Sequence, residues 1–299
     1  MATERLRGTQ SVVGQMGWVL ARPSVVALEV VWRWLVGAPV LAVAWMQAQA
    51  ILAALPPESA GLTSIEPGNP WMAAIKLDAA WQMYQPHVWA VLGWLAPAAG
   101  LAWVMASAIG RNLVLKRMEP RLPFRLGTMI MLQAVSLGAV GLAGYGWFRA
   151  VSWAAASHMG NGGEPDLLGY TIWVVFLTLA FVVVWAVVSW VVTVAPILAL
   201  LEECGPATAL ARSVRLGKPF TAKLVEINFV MSIVTLALIV VAMVFSSVLI
   251  PFAEQVGAGT LHLEWLVVSV FYFVASDYFQ VVRLKGFLEF WQVYRGGQN

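Results

Sequence analysis

Six long apolar stretches alternate with shorter polar segments along the chain. They cover approximately residues 34–55, 88–109, 127–148, 168–195, 225–250 and 263–282. A transmembrane helix needs about 20 consecutive, predominantly apolar residues, whereas a membrane β-strand alternates polar and apolar residues over about 10 positions. Because backbone groups in lipid must find hydrogen bonds within the segment itself, the pattern predicts an all-α, polytopic membrane helix bundle with about six transmembrane helices.

The composition strengthens this prediction. Of the 299 residues, 61% are hydrophobic and 11% are charged, and the mean hydropathy is +0.79. Soluble globular chains are about 45–50% apolar and about 25% charged. The excess apolar surface has to face lipid, which excludes a soluble enzyme and a nucleic-acid-binding domain. We therefore expect a single integral membrane domain over residues 1–299.

Two segments outside the predicted spans resemble interfacial helices. Within the N-terminal segment 1–33, the part from Gln10 to Leu20 is apolar with few charges, and we expect it to lie on the membrane surface. The outer loop 56–86 contains Asn69 followed by Pro70, an N-cap residue and a first-turn proline. Apolar residues then recur at intervals of three or four, which predicts a short amphipathic helix.

Basic residues are concentrated on one side of the predicted bundle. Sixteen of the 18 Lys and Arg residues fall in the N-terminal segment, the loops after spans two and four, and the C-terminus; only Lys76 and Arg149 fall on the other side. The positive-inside rule predicts that both termini lie in the cytoplasm; a bacterial inner membrane is what the resemblance described below implies. The basic residues of the two inner loops are candidates to bind anionic lipid headgroups or another membrane subunit: Arg111, Lys116, Arg117, Arg121, Arg125, Arg212, Arg215 and Lys218.

The segment that follows the fourth span has an unusual sequence. Pro196 predicts a kink where the helix leaves lipid, and Gly205-Pro206 ends one helix and begins another. A short amphipathic helix on the inner leaflet should follow. The full pattern, P-x5-E-x2-G-P-x2-A-x2-R-S-x2-L, is carried by Pro196, Glu202, Gly205, Pro206, Ala209, Arg212, Ser213 and Leu216.

This run resembles the signature region of the membrane domain associated with glycerophosphoryl diester phosphodiesterases, one of a broader group of bacterial six-span membrane proteins of ill-defined role. The resemblance covers about 25 residues. It implies a stand-alone membrane domain with the catalytic domain absent. That domain would be a soluble barrel of about 250 residues, and the predicted spans leave no room for it in this sequence. It also implies that Glu202 and Arg212 form an ion pair that fixes the turn between the two helices.

Few acidic residues lie within the predicted spans. Asp277 in the sixth span and Glu226 in the fifth are the main ones, and intramembrane carboxylates are candidate ligands for protons or cations. The alternative is a structural role, with the acids paired to arginines near the inner surface. We expect structural ion pairs to involve Glu29, Arg33, Glu202 and Asp277.

The three histidines, His87, His158 and His262, lie near the predicted outer ends of spans. Imidazole binds haem iron, copper and zinc, so their convergence would form a metal or haem site. No two share a helix at i,i+4 spacing, however, and the single cysteine, Cys204, excludes a thiolate cluster. Plain interfacial packing is the alternative interpretation.

No Walker A, GxSxG, HExxH, CxxCH or GxGxxG pattern is present. The sequence therefore favours a non-enzymatic membrane protein without a cofactor, either lipid-associated or an accessory or scaffold subunit of a larger membrane complex. Two alternatives stay open. One is a small-solute or ion transporter that uses Asp277 and Glu226, and the other is a haem- or metal-bearing redox subunit that uses the outer histidines.

Overall fold

The computed structural model describes residues 8–64, 70–159, 166–215, 218–247 and 258–296. These residues contain helices and no strand, so the protein is the all-α helix bundle that the sequence predicts. In chain order the helices are α1 (Gly8–Leu20), α2 (Pro23–Ala54), a 3-10 turn (Leu62–Ser64), α3 (Pro70–Met118), α4 (Leu126–Met159), α5 (Leu167–Leu201), α6 (Pro206–Val214), α7 (Lys218–Ser247) and α8 (Ala258–Gly296).

Within the described residues, five helices are long and apolar enough to cross a membrane. They are Pro23–Ala54, Ile75–Met118, Leu126–His158, Leu167–Trp185 and Gly259–Gln292. The fifth predicted span, 225–250, overlaps α7, where the shorter apolar helix Ile233–Ser247 is found. This architecture is that of a multi-pass membrane protein.

The chain divides into two compact units. Unit 1 comprises residues 1–30 and 108–299, and unit 2 comprises residues 31–107. The candidate functional residues described below belong almost entirely to unit 1.

Unit 2 contains the predicted outer loop. The Tyr84 hydroxyl donates to the Leu55 carbonyl at 2.9 Å. The Lys76 ammonium donates to the hydroxyl of Ser64 at 3.0 Å, and also to its carbonyl. One of the two basic residues on the predicted outer side therefore ties this loop to α3.

Helix α3 begins at Pro70, as the Asn69-Pro70 pair predicts. The amphipathic segment does not end before the second span, however, because α3 continues through Pro86 and Pro97 to Met118. An internal proline removes one backbone hydrogen bond and can bend a helix without ending it. The predicted short helix and the second span are thus one element of 49 residues.

The core of unit 1 is built around the C-terminal end of α5. All residues from Val194 to Leu200 are buried, and α5 continues through Pro196 to Leu201. Ala195 and Ala199 pack with Leu132 of α4 and Ala209 of α6. Small side chains let helices approach closely, so the two alanines allow α4 and α6 to pack on this part of α5.

Helix α1 packs against the long last helix, α8. Gln15 is buried, and its Nε2 donates to Glu289 at 3.3 Å. The Tyr278 hydroxyl donates to the Met16 carbonyl at 3.0 Å. The sequence predicts the helix but not these contacts, which give α1 a protein-facing side.

Gly286 makes this packing possible, because a Cβ there would lie 2.8 Å from the Gln15 Oε1 atom. We expect Gly286→Leu to displace α1 and to lower the free energy of unfolding by about 1–3 kcal/mol, the usual effect of overpacking. Thermal unfolding and limited proteolysis of α1 would measure the change. Gly259→Leu, on the same helix with nothing within 4 Å of the added Cβ, is the matched control. Equal behaviour of the two variants would contradict the prediction.

Candidate functional site

The chain reverses direction in a tight turn between α5 and α6. After α5 ends at Leu201, Glu203 adopts a left-handed backbone conformation with φ of 51°. A left-handed residue is the common way to end a helix, although glycine is usual there. Gly205 is extended and places Pro206 in the first turn of α6. The Gly-Pro pair therefore starts α6 as the sequence predicts.

Helix α6 has one buried side and one basic side. Ala209 and Ser213 are buried, whereas Arg212 and Arg215 are exposed. Arg212 forms an ion pair with Glu202, the pairing that the family resemblance implies. The hydrogen bond that Arg212 donates to Glu202, together with the negative charge of Glu202, raises the pKa of Arg212. The ion pair fixes α6 relative to the end of α5.

A second contact joins this turn to the loop between α3 and α4. Arg125 donates from Nη1 to the Cys204 carbonyl at 3.2 Å. The backbone N–H of Arg125 donates to Asn112 Oδ1 at 3.2 Å, and Asn112 Nδ2 donates to the Ala108 carbonyl at 2.8 Å. Asn112 is buried. Sequence analysis did not single out Asn112; the available signal was an amide side chain within an apolar and basic stretch.

The two joined segments present most of the predicted basic residues to the outside. Exposed apolar side chains lie beside them in the sequence, namely Phe124 (48% exposed) and Val214 (62% exposed). We call the exposed side chains of these two segments the basic surface. It consists of Phe124, Val214 and five exposed cations, namely Lys116, Arg117, Arg121, Arg212 and Arg215.

Arg111, which sequence analysis grouped with these cations, lies inside unit 1. Its side chain is 17% exposed, and its Nη1 is 3.9 Å from Oε1 of Glu29, whose side chain is fully buried. When the Gln280 amide is oriented to suit its neighbours, its oxygen accepts from both terminal nitrogens of Arg111 at 3.0 and 3.2 Å. Glu29 of α2 thus has an ion-pair partner on α3.

The carboxylates proposed as transport residues are only partly described. Asp277 is buried in α8, with 5% of its surface exposed. The side chain of Glu226 lies outside the described residues, as does that of Lys218. Of the residues expected to form structural ion pairs, Arg33 belongs to unit 2 and Asp277 to unit 1.

The histidines occupy three different settings. His87 is exposed on α3, His158 lies 3.2 Å from the Asp166 carboxylate, and the ring of His262 is 6.2 Å from that of Trp265. No group of three or more His, Cys, Asp or Glu residues that could hold a metal occurs in the part of the chain that the structure describes.

Asp166 explains the position of His158. The Asp166 Oδ1 atom accepts from the Gly169 N–H at 2.8 Å, so Asp166 is the N-cap of α5. This hydrogen bond, followed by the contact with His158, lowers the pKa of Asp166. His158, at the end of α4, therefore supports the N-cap of α5.

Comparison of the chain with models of protein families, with curated proteins and with solved structures found no match.

The single cysteine offers a direct test of the Arg125 contact. Cys204 is partly buried between this contact and the buried α5 segment. We expect Arg125→Met to loosen the turn and to raise the rate at which maleimide modifies Cys204 several-fold. Arg121→Met removes a neighbouring exposed arginine and should leave the rate unchanged. Equal rates in the Arg125→Met variant and the unchanged protein would show that Arg125 does not hold the turn.

Proposed function

We propose that the chain is a non-enzymatic, multi-pass membrane protein whose basic surface binds anionic lipid headgroups at the inner leaflet of a bacterial cytoplasmic membrane. The observation that supports this most directly is the Arg125–Cys204 hydrogen bond. It joins two basic segments that are distant in sequence, so that their cations can act on the same membrane surface.

The chemistry of the basic surface favours lipid. A Lys or Arg near an anionic membrane surface contributes about 1 kcal/mol to binding, and five exposed cations lie on these segments. The exposed Phe124 and Val214 side chains supply apolar groups that can enter the interfacial layer. Basic and apolar groups side by side are typical of a segment that lies at a membrane surface.

The resemblance to the phosphodiesterase-associated membrane domain supports the same proposal. In this chain the described motif positions lie in the last part of α5, the turn and α6, and Glu202 and Arg212 form an ion pair; Leu216 lies outside the described residues. The motif therefore has a structural purpose here, which is to hold α6 and its basic side in one position. On this proposal the chain contributes membrane and lipid contacts, alone or as an accessory subunit, and not hydrolysis.

The proposed orientation puts both termini and Cys204 on the cytoplasmic side. A membrane-impermeant maleimide should therefore label Cys204 in inverted membrane vesicles and leave it unlabelled in right-side-out vesicles. Vesicles opened with detergent provide the control for accessibility. Labelling in right-side-out vesicles alone would reverse the orientation and remove the inner-leaflet proposal.

The lipid preference can be tested on purified protein. In detergent, we expect short-chain phosphatidylglycerol to bind more tightly than phosphatidylcholine. Replacement of Lys116, Arg117 and Arg215 by Gln should weaken phosphatidylglycerol binding by about fivefold for each lost charge, since about 1 kcal/mol corresponds to that factor. Native mass spectrometry or calorimetry would measure it. Arg212 is kept because its ion pair also holds α6.

The matched control replaces Lys76 and Arg149, on the predicted outer side, by Gln. These changes should leave phosphatidylglycerol binding intact. Equal affinity of the unchanged protein for the two lipids would overturn the proposal. A protein that instead co-purifies in stoichiometric amount, and is lost from the triple variant, would assign the basic surface to a partner subunit.

A further inference from the structure

A small polar cavity lies inside unit 1, among helices α3, α4, α5 and α8. Its volume is about 70 Å³. Most of the described bundle is apolar, yet Arg111, Gln133, Ser136 and Thr193 all line this space. It is separate from the exposed cations of the basic surface.

The charge on the cavity wall is positive. Arg111 is its one charged residue among the described lining residues, and no described carboxylate lines it. The buried Glu29 forms an ion pair with Arg111 at 3.9 Å and offsets part of its charge, although Glu29 does not itself line the cavity. Arg283 donates from Nη2 to Thr193 at 2.9 Å, which places a second guanidinium behind the wall. Such a site attracts anions and repels cations.

Two further donors face the same space. Gln133 and Ser136 are one helical turn apart on α4 and therefore share a face. Neither side chain forms a hydrogen bond to another residue that the structure describes. The Thr193 hydroxyl, in contrast, already donates to the Ser189 carbonyl at 2.7 Å. A polar group in an apolar setting is costly without a partner, so Gln133 and Ser136 require something in the cavity to bind.

Pro196 adds one acceptor to the wall. Because proline has no N–H, the Val192 carbonyl, four residues earlier in α5, lacks its ordinary helical donor. Both residues line the cavity. A water molecule in the cavity can supply the missing hydrogen bond, so the contents should include a donor as well as a negative charge.

We propose that the cavity is a binding site for a small monovalent anion of the size of chloride, held by Arg111, Gln133 and Ser136 with a water molecule on the Val192 carbonyl. A water molecule occupies about 30 Å³, so 70 Å³ is enough for an ion of this size and one water molecule. Gln133 and Ser136 lie roughly 10–15 Å along α4 from its start. This depth separates the anion site from phosphates at the membrane surface.

The test is a chloride titration of the purified full chain at constant ionic strength, with gluconate as the replacing anion. The unfolding temperature should rise and saturate with chloride, because a ligand that binds the folded state stabilises it. Ser136→Ala should weaken the apparent chloride affinity about tenfold or more, the effect of losing a hydrogen bond to a charged group. Gln133→Leu should do the same.

A matched control makes the result specific. Ser152→Ala removes an exposed hydroxyl from the same helix and should leave chloride affinity unchanged. A cavity that holds water only predicts no chloride-specific stabilisation in the unchanged protein, and this result would overturn the proposal. An equal loss of affinity in Ser152→Ala and Ser136→Ala would also overturn it.

Discussion

Polar groups inside a lipid-embedded bundle have no bulk water to bind, and this constraint explains the arrangement of unit 1. Several buried polar side chains of unit 1 bind another helix or loop. Asn112 holds the loop before α4, Gln15 binds α8 through Glu289, and Arg111 binds Glu29 and Gln280. Apolar side chains alone would not select which helices pack together, because lipid tails and leucine side chains are equally apolar. These polar contacts make that selection.

The fold was predictable to the extent that it depends on local chemistry. Long apolar runs predict helices whichever elements those helices pack against. Asn69-Pro70 predicts the start of α3, and Gly205-Pro206 predicts the start of α6. The continuation of α3 through its internal prolines was missed, because a proline is compatible with both a break and a bend. The packing of α1 was also missed, because it depends on the space above Gly286, far away in the sequence.

The candidate site shows the same division. The basic residues and the turn were evident from the sequence, since charge and Gly-Pro signals are local. The Arg125–Cys204 contact was not, because its acceptor is a backbone carbonyl, which every residue possesses. The location of Arg111 inside the bundle was likewise hidden, because a loop arginine and a buried one look alike in a sequence. The cavity is lined by four polar residues from three helices, Arg111 of α3, Gln133 and Ser136 of α4 and Thr193 of α5, and no local pattern in the sequence brings them together.

The length of α8 has a mechanical consequence. With 39 residues and a rise of about 1.5 Å per residue, it extends about 58 Å, roughly twice the thickness of the hydrocarbon core of a membrane. The helix is therefore longer than the hydrocarbon core requires, and its C-terminal half carries α1 through the hydrogen bonds of Gln15 and Tyr278. When a straight rod tilts, its ends travel furthest, so a small change in the angle of α8 within the bilayer becomes a larger sideways displacement of α1.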